Sequence, residues 1–293
     1  MIADTLVSVP GWTATPRRWL ARDRSAAFAA VLLLAIAIPC LLAPVFAPYD
    51  PSAQPDIIGL RSAAPSLLHP FGTDSSSRDV LSRVMYGGQL SLAVAIIATL
   101  VSVTLGTAFG AFAGFLDGFG GTLLQRILDA LLSIPRLLLL IAIFAAWSDA
   151  PLPVFILALG LTGWYGVARL VRGQVLALKA QDFVQSARAL GATRSRILVR
   201  HILPNVVSQV IVAATLGIGH VIVLEAGLSY LGIGVHPPQA SWGNIIQEGS
   251  DQIAAQWWVS FFPGMAIVLT VMAFNVLGDA LLRALQPKKS VIE

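Results

Sequence analysis

The fold class follows from residues 90–114, which read LSLAVAIIATLVSVTLGTAFGAFAG without a single charged side chain. A helix rises about 1.5 Å per residue, so about 20 apolar residues cross the roughly 30 Å of hydrocarbon in a bilayer. This run is long enough and therefore predicts a transmembrane helix. Within it, Gly106, Gly110 and Gly114 recur at every fourth position, which lets membrane helices approach closely, either within this chain or against a partner subunit.

Five further apolar runs predict five more spans. They lie near residues 26–47, 127–147, 151–171, 206–233 and 257–282. Charged residues make up only 12% of the chain, against about 25% in a typical soluble domain, and hydrophobic residues make up 56%. Too few charges remain to cover a surface in water. We therefore expect an all-α, polytopic bundle of six transmembrane helices in a lipid bilayer. In the fifth run, Gly217, Gly219 and Gly227 predict a bend or an early end.

Lysine and arginine are unevenly distributed between the two sides of such a bundle. With the N-terminus inside, the inner segments contain Arg17, Arg18, Arg22, Arg24, Arg126, Arg169, Arg172, Lys179, Arg188, Arg194, Arg196, Arg200, Arg283, Lys288 and Lys289. The outer segments hold only Arg61, Arg78 and Arg83. The positive-inside rule therefore predicts that both termini lie in the cytoplasm. Because the basic residues alternate with apolar runs, they do not indicate nucleic-acid binding.

This topology divides the chain into five parts. They are a cytoplasmic segment 1–25, the first helix 26–47, an external segment 48–89, a five-helix core 90–285 and a cytoplasmic tail 286–293. We expect the first run to remain as an uncleaved span, because it is longer than the 7–15 apolar residues of a signal peptide and no clear cleavage site follows it.

The longest predicted cytoplasmic loop, 172–205, contains the sequence QDFVQSARALGATRSRILVRHILPN at residues 181–205. Residues 181–190 favour a helix that ends at Gly191, a residue that tolerates the left-handed backbone of a helix end. A second short helix, 194–202, is expected to end before Pro204, which would open the fifth span. The sequence therefore predicts a helix, a sharp turn and a second helix outside the membrane.

Two interpretations of this loop are possible, a solvated basic loop and a docking element. Ala187 and Gly191 lie four residues apart and form a small-residue patch on one helical face. Phe183 and Leu190 add apolar surface that a free loop does not need. These features favour docking into a groove on another protein.

The same loop resembles the cytoplasmic motif of binding-protein-dependent ABC importer permeases, E-A-A-x-x-x-G followed after nine residues by I-x-L-P. The first four fixed positions hold Gln185, Ser186, Ala187 and Gly191, and Leu203 and Pro204 close the motif at the expected distance. The spacing is intact. Three residues depart from the pattern. Gln185 replaces Glu, Ser186 replaces the first Ala, and His201 replaces the usual Ile.

Further segments resemble the dipeptide/oligopeptide/nickel permeases within that family, of the second of the two permease types. They are HPFGTD at 69–74, RDVLSR at 78–83, Tyr86-Gly87, Ser91-Leu92, RHILPN at 200–205, EAGLSYLG at 225–232, Pro237-Pro238 and Ser241-Trp242-Gly243. The resemblance implies a type I ABC importer permease fold. It also implies di- or oligopeptides as the transported solute, with nickel or another small solute as the alternative.

The resemblance further implies the partners of this chain in the bacterial cytoplasmic membrane. They are a sister permease forming a heterodimer, two ATPase domains that carry the ATP and Mg, and an extracytoplasmic substrate-binding protein. The residues implied in coupling to the ATPase are Asp182, Gln185, Ser186, Ala187, Arg188, Gly191, Leu203 and Pro204. Arg188 and Arg194 would pair with acidic residues of the ATPase.

Three polar residues of the fifth run are candidates for the translocation path. A carboxylate in an apolar run is costly, so Glu225 is expected to face either that path or a structural partner near the outer interface. Ser229 and Tyr230 are expected to share its environment. Arg136, next to Pro135, is expected to have a structural counter-charge or to extend its side chain towards the interface.

Two rival functions fit the sequence less well. An intramembrane enzyme is disfavoured because Gly227–Gly232 has the spacing G-x-S-x-x-G, and neither H-E-x-x-H nor a phosphate-binding loop occurs. We therefore expect no catalytic residue, no metal site and no cofactor on this chain. An ATP-independent secondary transporter is disfavoured because we find no internal repeat and Glu225 stands nearly alone.

Overall fold

The structure is a computed structural model that describes residues 23–147 and 150–285. Its helices are α1 (Arg24–Leu41), α2 (Ala43–Phe46), α3 (Val80–Phe115), α4 (Phe119–Leu132), α5 (Arg136–Ala146), α6 (Leu152–Lys179), α7 (Asp182–Ala189), α8 (Arg194–Arg196), α9 (Leu203–Tyr230), α10 (Trp242–Ser250) and α11 (Trp257–Leu285). A π-helical turn, Ile197–Ile202, joins α8 to α9. In this described part the chain forms no β-strand, only an isolated bridge between Thr73 and Asp79. The all-α prediction is confirmed.

The structure contains five or six candidate membrane spans. Five helices are long and apolar enough to cross a membrane: α1, α3, α6, the continuous helix Arg194–Tyr230, and α11. The helices α4 and α5 are bent by 71° relative to each other, and this pair, here called the broken span, is a sixth candidate. The predicted single helix 127–147 was therefore wrong. The break lies at Pro135, which has no N–H and disfavours helical geometry in the residue before it.

Several helix ends lie outside the predicted spans, because apolar runs mark only the part of a helix that suits lipid. The first span was predicted at 26–47, but α1 ends at Leu41, after Pro39, and the short α2 follows. The helix α3 begins at Val80 rather than at residue 90, because the carboxylate of Asp79 caps it by accepting a hydrogen bond from the N–H of Ser82 (2.8 Å). The helix α6 continues past residue 171 to Lys179.

The helix α9 differs from the prediction at both ends. We expected the second loop helix to end before Pro204, but α8, the π-turn and α9 form one continuous helix with Pro204 in the first turn of α9. At the π-turn, the N–H of Leu203 donates to the carbonyl of Leu198, five residues earlier. Proline has no N–H to donate within this continuous helix, and the π-turn lies directly before Pro204. The helix also continues through Gly227 to Tyr230, so the expected early end was wrong.

The glycines of α3 pack against α6 within the chain. A Cβ on Gly110 would lie 2.5 Å from the carbonyl oxygen of Ala168, and one on Gly106 would lie 2.7 Å from that of Trp164. Gly114 meets the carbonyl of Arg172 in the same way, at 2.9 Å. Only hydrogen fits at these positions. Of the two packing alternatives, the one within this chain is confirmed for these three glycines.

The bundle has two ends with separate cores. The motif end comprises residues 115–118 and 179–194, and the opposite end comprises residues 47–83 and 231–258. The larger core extends to the opposite end and includes Val80, Leu92, Leu228, Trp242, Ile245 and Trp258. The smaller core lies near the motif end and includes Val171, Val175, Val184, Ile197 and Ile202.

The opposite end contains a helix that the sequence did not predict. Within the expected external stretch 234–256, α10 begins with a capping box in which Ser241 and Asn244 exchange side-chain to backbone hydrogen bonds. The predicted cytoplasmic tail, 286–293, and residues 1–22 of the predicted N-terminal segment lie outside the described residues. The same holds for Arg17, Arg18, Arg22, Lys288 and Lys289.

Candidate functional site

The short helix α7 lies at the motif end and is anchored to the bundle by one buried side chain. Val184 is fully buried in the smaller core. Phe183 and Leu190 are 44% and 88% exposed. Asp182 lies in the first turn and Arg188 in the last, where each charge is favoured by the helix dipole. The helix is therefore held by one face and presents apolar side chains on the other.

A tight turn ends α7 at Gly191. The N–H of Gly191 donates to the carbonyl of Arg188 and the N–H of Ala192 donates to that of Ala187, both at 3.0 Å. These two bonds form a Schellman motif, which requires a left-handed residue at Gly191, where φ is +80°. A Cβ added to Gly191 would meet nothing within 4 Å. The turn therefore needs glycine for its backbone conformation, and not for lack of space.

Polar contacts fix the start of α7 to the end of α3. The side chain of Gln185 donates to the carbonyl of Lys179 (2.9 Å). The ammonium of Lys179 donates to the carbonyl of Phe115 (2.9 Å) and to Asp117 Oδ1 (2.7 Å). This lysine, through its hydrogen bond and then its charge, holds the pKa of Asp117 below its ordinary value. The end of α3, the turn at Asp117, the end of α6 and the start of α7 thus meet at the motif end.

The motif residues do not all share one surface. Asp182, Gln185, Ser186, Arg188 and Gly191 are exposed on α7 and its turn, and Ala187 is partly buried. Leu203 packs against the smaller core and Pro204 is exposed, both in the first turn of α9.

A cavity of about 230 Å³ separates α7 from the end of α3. Arg188 and Arg194 line it together with Asp117. The charges of both arginines also act on the carboxylate of Asp117. Within residues 23–147 and 150–285, neither arginine forms an ion pair. Both guanidinium groups are exposed at this end.

Glu225 is fully buried and joins three helices. Its two carboxylate oxygens accept hydrogen bonds from the hydroxyls of Ser91 on α3 and Ser229 on α9, each at 2.8 Å. The hydroxyl of Ser91 also accepts from the N–H of Trp242 on α10 (3.3 Å). The structure thus brings Glu225 and Ser229 together in a structural contact, and it leaves Tyr230 apart and 45% exposed. Their place in a translocation path stays a prediction.

Four charged side chains form a cluster at the opposite end. Arg83 donates to Asp74 Oδ2 (2.6 Å) and to both carboxylate oxygens of Glu248 (2.6 and 2.9 Å), and Arg78 also contacts both acids. The sequence motifs contained Asp74, Arg78 and Arg83, but Glu248 was missed. It lies on α10, 165 residues from Arg83, and no local pattern connects the two.

A second feature that the sequence did not predict is a cavity of about 370 Å³ next to Arg136. The guanidinium donates to the carbonyl of Leu159 (2.6 Å) and to the hydroxyl of Thr162 (3.2 Å). In the described part of the chain, no carboxylate lies within ion-pair distance of Arg136. The expected structural counter-charge is therefore not found among these residues.

The described residues offer no candidate metal centre, since they contain no group of three His, Cys, Asp or Glu side chains that could hold an ion.

Comparison with known proteins supports the interpretation of the motifs. A family model described as "Binding-protein-dependent transport system inner membrane component" matches residues 106–291. A second model, "N-terminal TM domain of oligopeptide transport permease C", matches residues 16–65.

Similar proteins cover nearly the whole chain. The oligopeptide transport system permease protein OppC of Haemophilus influenzae is 38% identical over 94% of this chain and 88% of its own length. A putative peptide transport system permease protein of Brucella suis is 40% identical over 94% and 92%, and the glutathione transport system permease protein GsiD of Escherichia coli is 41% identical over 91% and 88%. The chain therefore belongs to the binding-protein-dependent transport system inner membrane components, the ABC importer permease family that its motifs predicted.

Proposed function

We propose that this chain is one of two permease subunits in an ATP-driven importer of di- or oligopeptides. Its relatives are named as permeases for oligopeptides, peptides and glutathione, which share the peptide bond as a common chemical feature. The sister permease, two ATPase domains and a substrate-binding protein complete the assembly. The solute path runs between the two permeases, and ATP and Mg bind to the ATPase partners.

The orientation in this proposal places both termini and the motif end in the cytoplasm of a bacterium. The support comes from charge, because Arg172, Lys179, Arg188, Arg194 and Arg196 lie at or near the motif end. Positive charge is retained on the inner side of a membrane. The opposite end then faces the binding protein.

The motif end is proposed to couple ATP hydrolysis to transport. The observation that carries this proposal is the geometry of α7, with Val184 buried beneath it and with Phe183 and Leu190 exposed above it. An exposed apolar face on a short, firmly attached helix suits a groove on a partner protein. When the ATPase domains close on ATP, a docked α7 moves with them, and the packed helices convert this motion into discrete inward- and outward-facing states.

The experiment is ATP-dependent peptide uptake into proteoliposomes that contain the full assembly. In Gly191→Arg, the side chain enters the docking surface and the backbone at φ +80° is strained, so we expect uptake to be lost and the ATPase subunits to dissociate during purification. Gly191→Asn is the matched control, because asparagine tolerates the left-handed conformation, and we expect it to retain most of the uptake.

Unchanged uptake and assembly in Gly191→Arg would contradict the coupling role of residues 181–204. Uptake by wild type that persists without the ATPase subunits would instead indicate a secondary transporter.

A further inference from the structure

The cavity beside Arg136 lies in the apolar part of the bundle, where four helices meet. Thr99 and Ser102 of α3, Gly163 and Gly166 of α6, and Gly217 and His220 of α9 contribute to its lining, with Arg136 at the start of α5. Gly166 and His220 are exposed, so the cavity opens on the surface of the bundle. At about 370 Å³, it has room for a small organic group.

Glycine makes room for the guanidinium at this place. A Cβ on Gly163 would lie 2.9 Å from one terminal nitrogen of Arg136 and 2.4 Å from the hydroxyl of Ser102. Any larger residue at this position would displace one of these two groups. The backbone of α6 therefore holds the arginine at the wall of the cavity. The two contacts of the guanidinium, the carbonyl of Leu159 and the hydroxyl of Thr162, are neutral, and residues 23–147 and 150–285 provide no counter-charge for it.

A polar group in the wall has no partner of its own. Thr99 is 5% exposed, and its hydroxyl makes no hydrogen bond to any residue in the described part of the chain. Buried hydroxyls are normally satisfied, and an orphaned one calls for an explanation. Because Thr99 lines the same cavity as Arg136, a ligand there would be within reach of both.

Arg136 is also the first residue of the helix that follows the break between α4 and α5. The helix α5 begins at Arg136, and no side chain caps it. The positive end of its dipole is therefore directed at the break between α4 and α5. Interrupted membrane helices use such ends to hold anionic groups of transported solutes. An arginine inside a membrane span is unfavourable, and a bound anion offsets this cost.

The remaining wall of the cavity is apolar, with Val103, Val167, Leu170, Leu216 and Val221. An inorganic anion does not use such a surface, whereas a carboxylate attached to an apolar body does. We propose that Arg136 receives the terminal carboxylate of the transported peptide within the membrane, with Thr99 as a second donor. This inference rests on the proposed function and identifies a part of the solute that this subunit contacts.

The test is uptake by the reconstituted full assembly of one peptide in two forms, a free acid and its C-terminal amide. The peptide is chosen so that the binding protein binds both forms with equal affinity. We expect wild type to prefer the acid. Arg136→Gln should lower uptake of the acid about tenfold and leave uptake of the amide nearly unchanged. Arg136→Lys should restore most of the preference, because it keeps the charge.

Arg126→Gln is the matched control, because Arg126 is an exposed arginine of the same broken span that does not line the cavity. It should keep the preference for the acid. The assay is repeated in vesicles with and without phosphatidylglycerol. An effect of Arg136→Gln that appears only with this anionic lipid would assign the site to a lipid headgroup and overturn the proposal.

Three other results would overturn it. Equal loss of uptake for both forms would indicate a packing role for the arginine. Dissociation of the sister permease in Arg136→Gln would indicate an ion pair between the subunits. Equal uptake of acid and amide by wild type would show that Arg136 does not recognise the terminal carboxylate. If wild type imported neither form, the peptide importer proposal itself would fail.

Discussion

The two ends of the bundle hold their charged side chains in different ways. At the opposite end, the side chains of Arg83 and Asp74 are 4% and 2% exposed, and they belong to a cluster closed by Glu248. At the motif end, Lys179 pairs with an aspartate, Asp117, that is 72% exposed. Buried ion pairs therefore hold the opposite end together. The motif end packs on the smaller core and leaves Asp117 exposed to solvent.

Apolar side chains show a related contrast. The larger core buries Trp242 and Trp258 at the opposite end, and the indole N–H of Trp258 donates to the carbonyl of Thr73 (3.0 Å). At the motif end, Leu190 remains 88% exposed at the end of α7. A surface of this kind is typical of contact with a partner. Covering exposed apolar side chains with another protein or with lipid removes them from water, which is favourable.

The largest expected effect is on the buried cluster. Arg83→Met removes one of the two arginines that contact Asp74 and Glu248 and leaves the buried Asp74 with Arg78 alone, so we expect the free energy of unfolding to fall by about 3 kcal/mol. Denaturant unfolding of the purified permease pair measures this change. Arg283→Met is the control, since Arg283 pairs with Asp23 at an exposed site, and its change should be much smaller. Equal losses in the two variants would remove the contrast between buried and exposed charges.

A second variant pair compares exposed leucines at the two ends. Leu190→Asp should weaken co-purification of the ATPase subunits at least about tenfold, roughly 1.4 kcal/mol, because it places a charge in the proposed docking surface. Leu67 is 102% exposed at the opposite end, and Leu67→Asp should leave that co-purification unchanged. Neither variant should alter the melting temperature of the isolated permease pair, since neither side chain is buried. Equal effects on ATPase binding would refute the assignment of the docking surface to α7.

The smallest expected effect is the pH dependence of the motif end. The hydrogen bond from Lys179 lowers the pKa of Asp117 in the folded state, so its ionised form stabilises the fold. That contribution is present above the ordinary aspartate pKa of about 3.9 and is lost as pH falls through the lower folded-state pKa.

The measurement is the melting temperature of wild type and Asp117→Asn between about pH 3 and pH 7. The difference between the two proteins should be small, largest near neutral pH, and should disappear at the acidic end. A difference that grows as the pH falls would contradict the assigned direction of the pKa shift.

Local sequence patterns predicted the elements that depend on neighbouring residues. The helix around Gln185 and the turn at Gly191 followed from helix formers beside a glycine, and both are present with φ +80° at the turn. Three glycines spaced by four predicted that α3 approaches another helix closely, and the structure identifies that helix as α6. These features were predictable because a helix end or a helix face is set by residues a few positions apart.

Other features were missed because the apolar composition of a segment does not reveal them. The break at Pro135 was treated as part of one span, since apolar composition alone does not reveal the 71° bend. No helix was predicted between the fifth and sixth spans, although the capping box of α10, Ser241 with Asn244, was a usable signal. Pro204 was treated as a helix start, whereas the π-turn before it allows α8 to continue into α9.

The sequence by itself determined that this chain is a helical membrane protein with the motif of the ABC importer permeases, because apolar run length and motif spacing are local properties. Only the tertiary structure decided that Glu225 is held by Ser91 and Ser229, that Glu248 closes the cluster around Arg83, and that Arg136 faces a cavity. The physical reason is distance along the chain. A buried charge is stabilised by partners on other helices, and the packing of those helices brings the partners together.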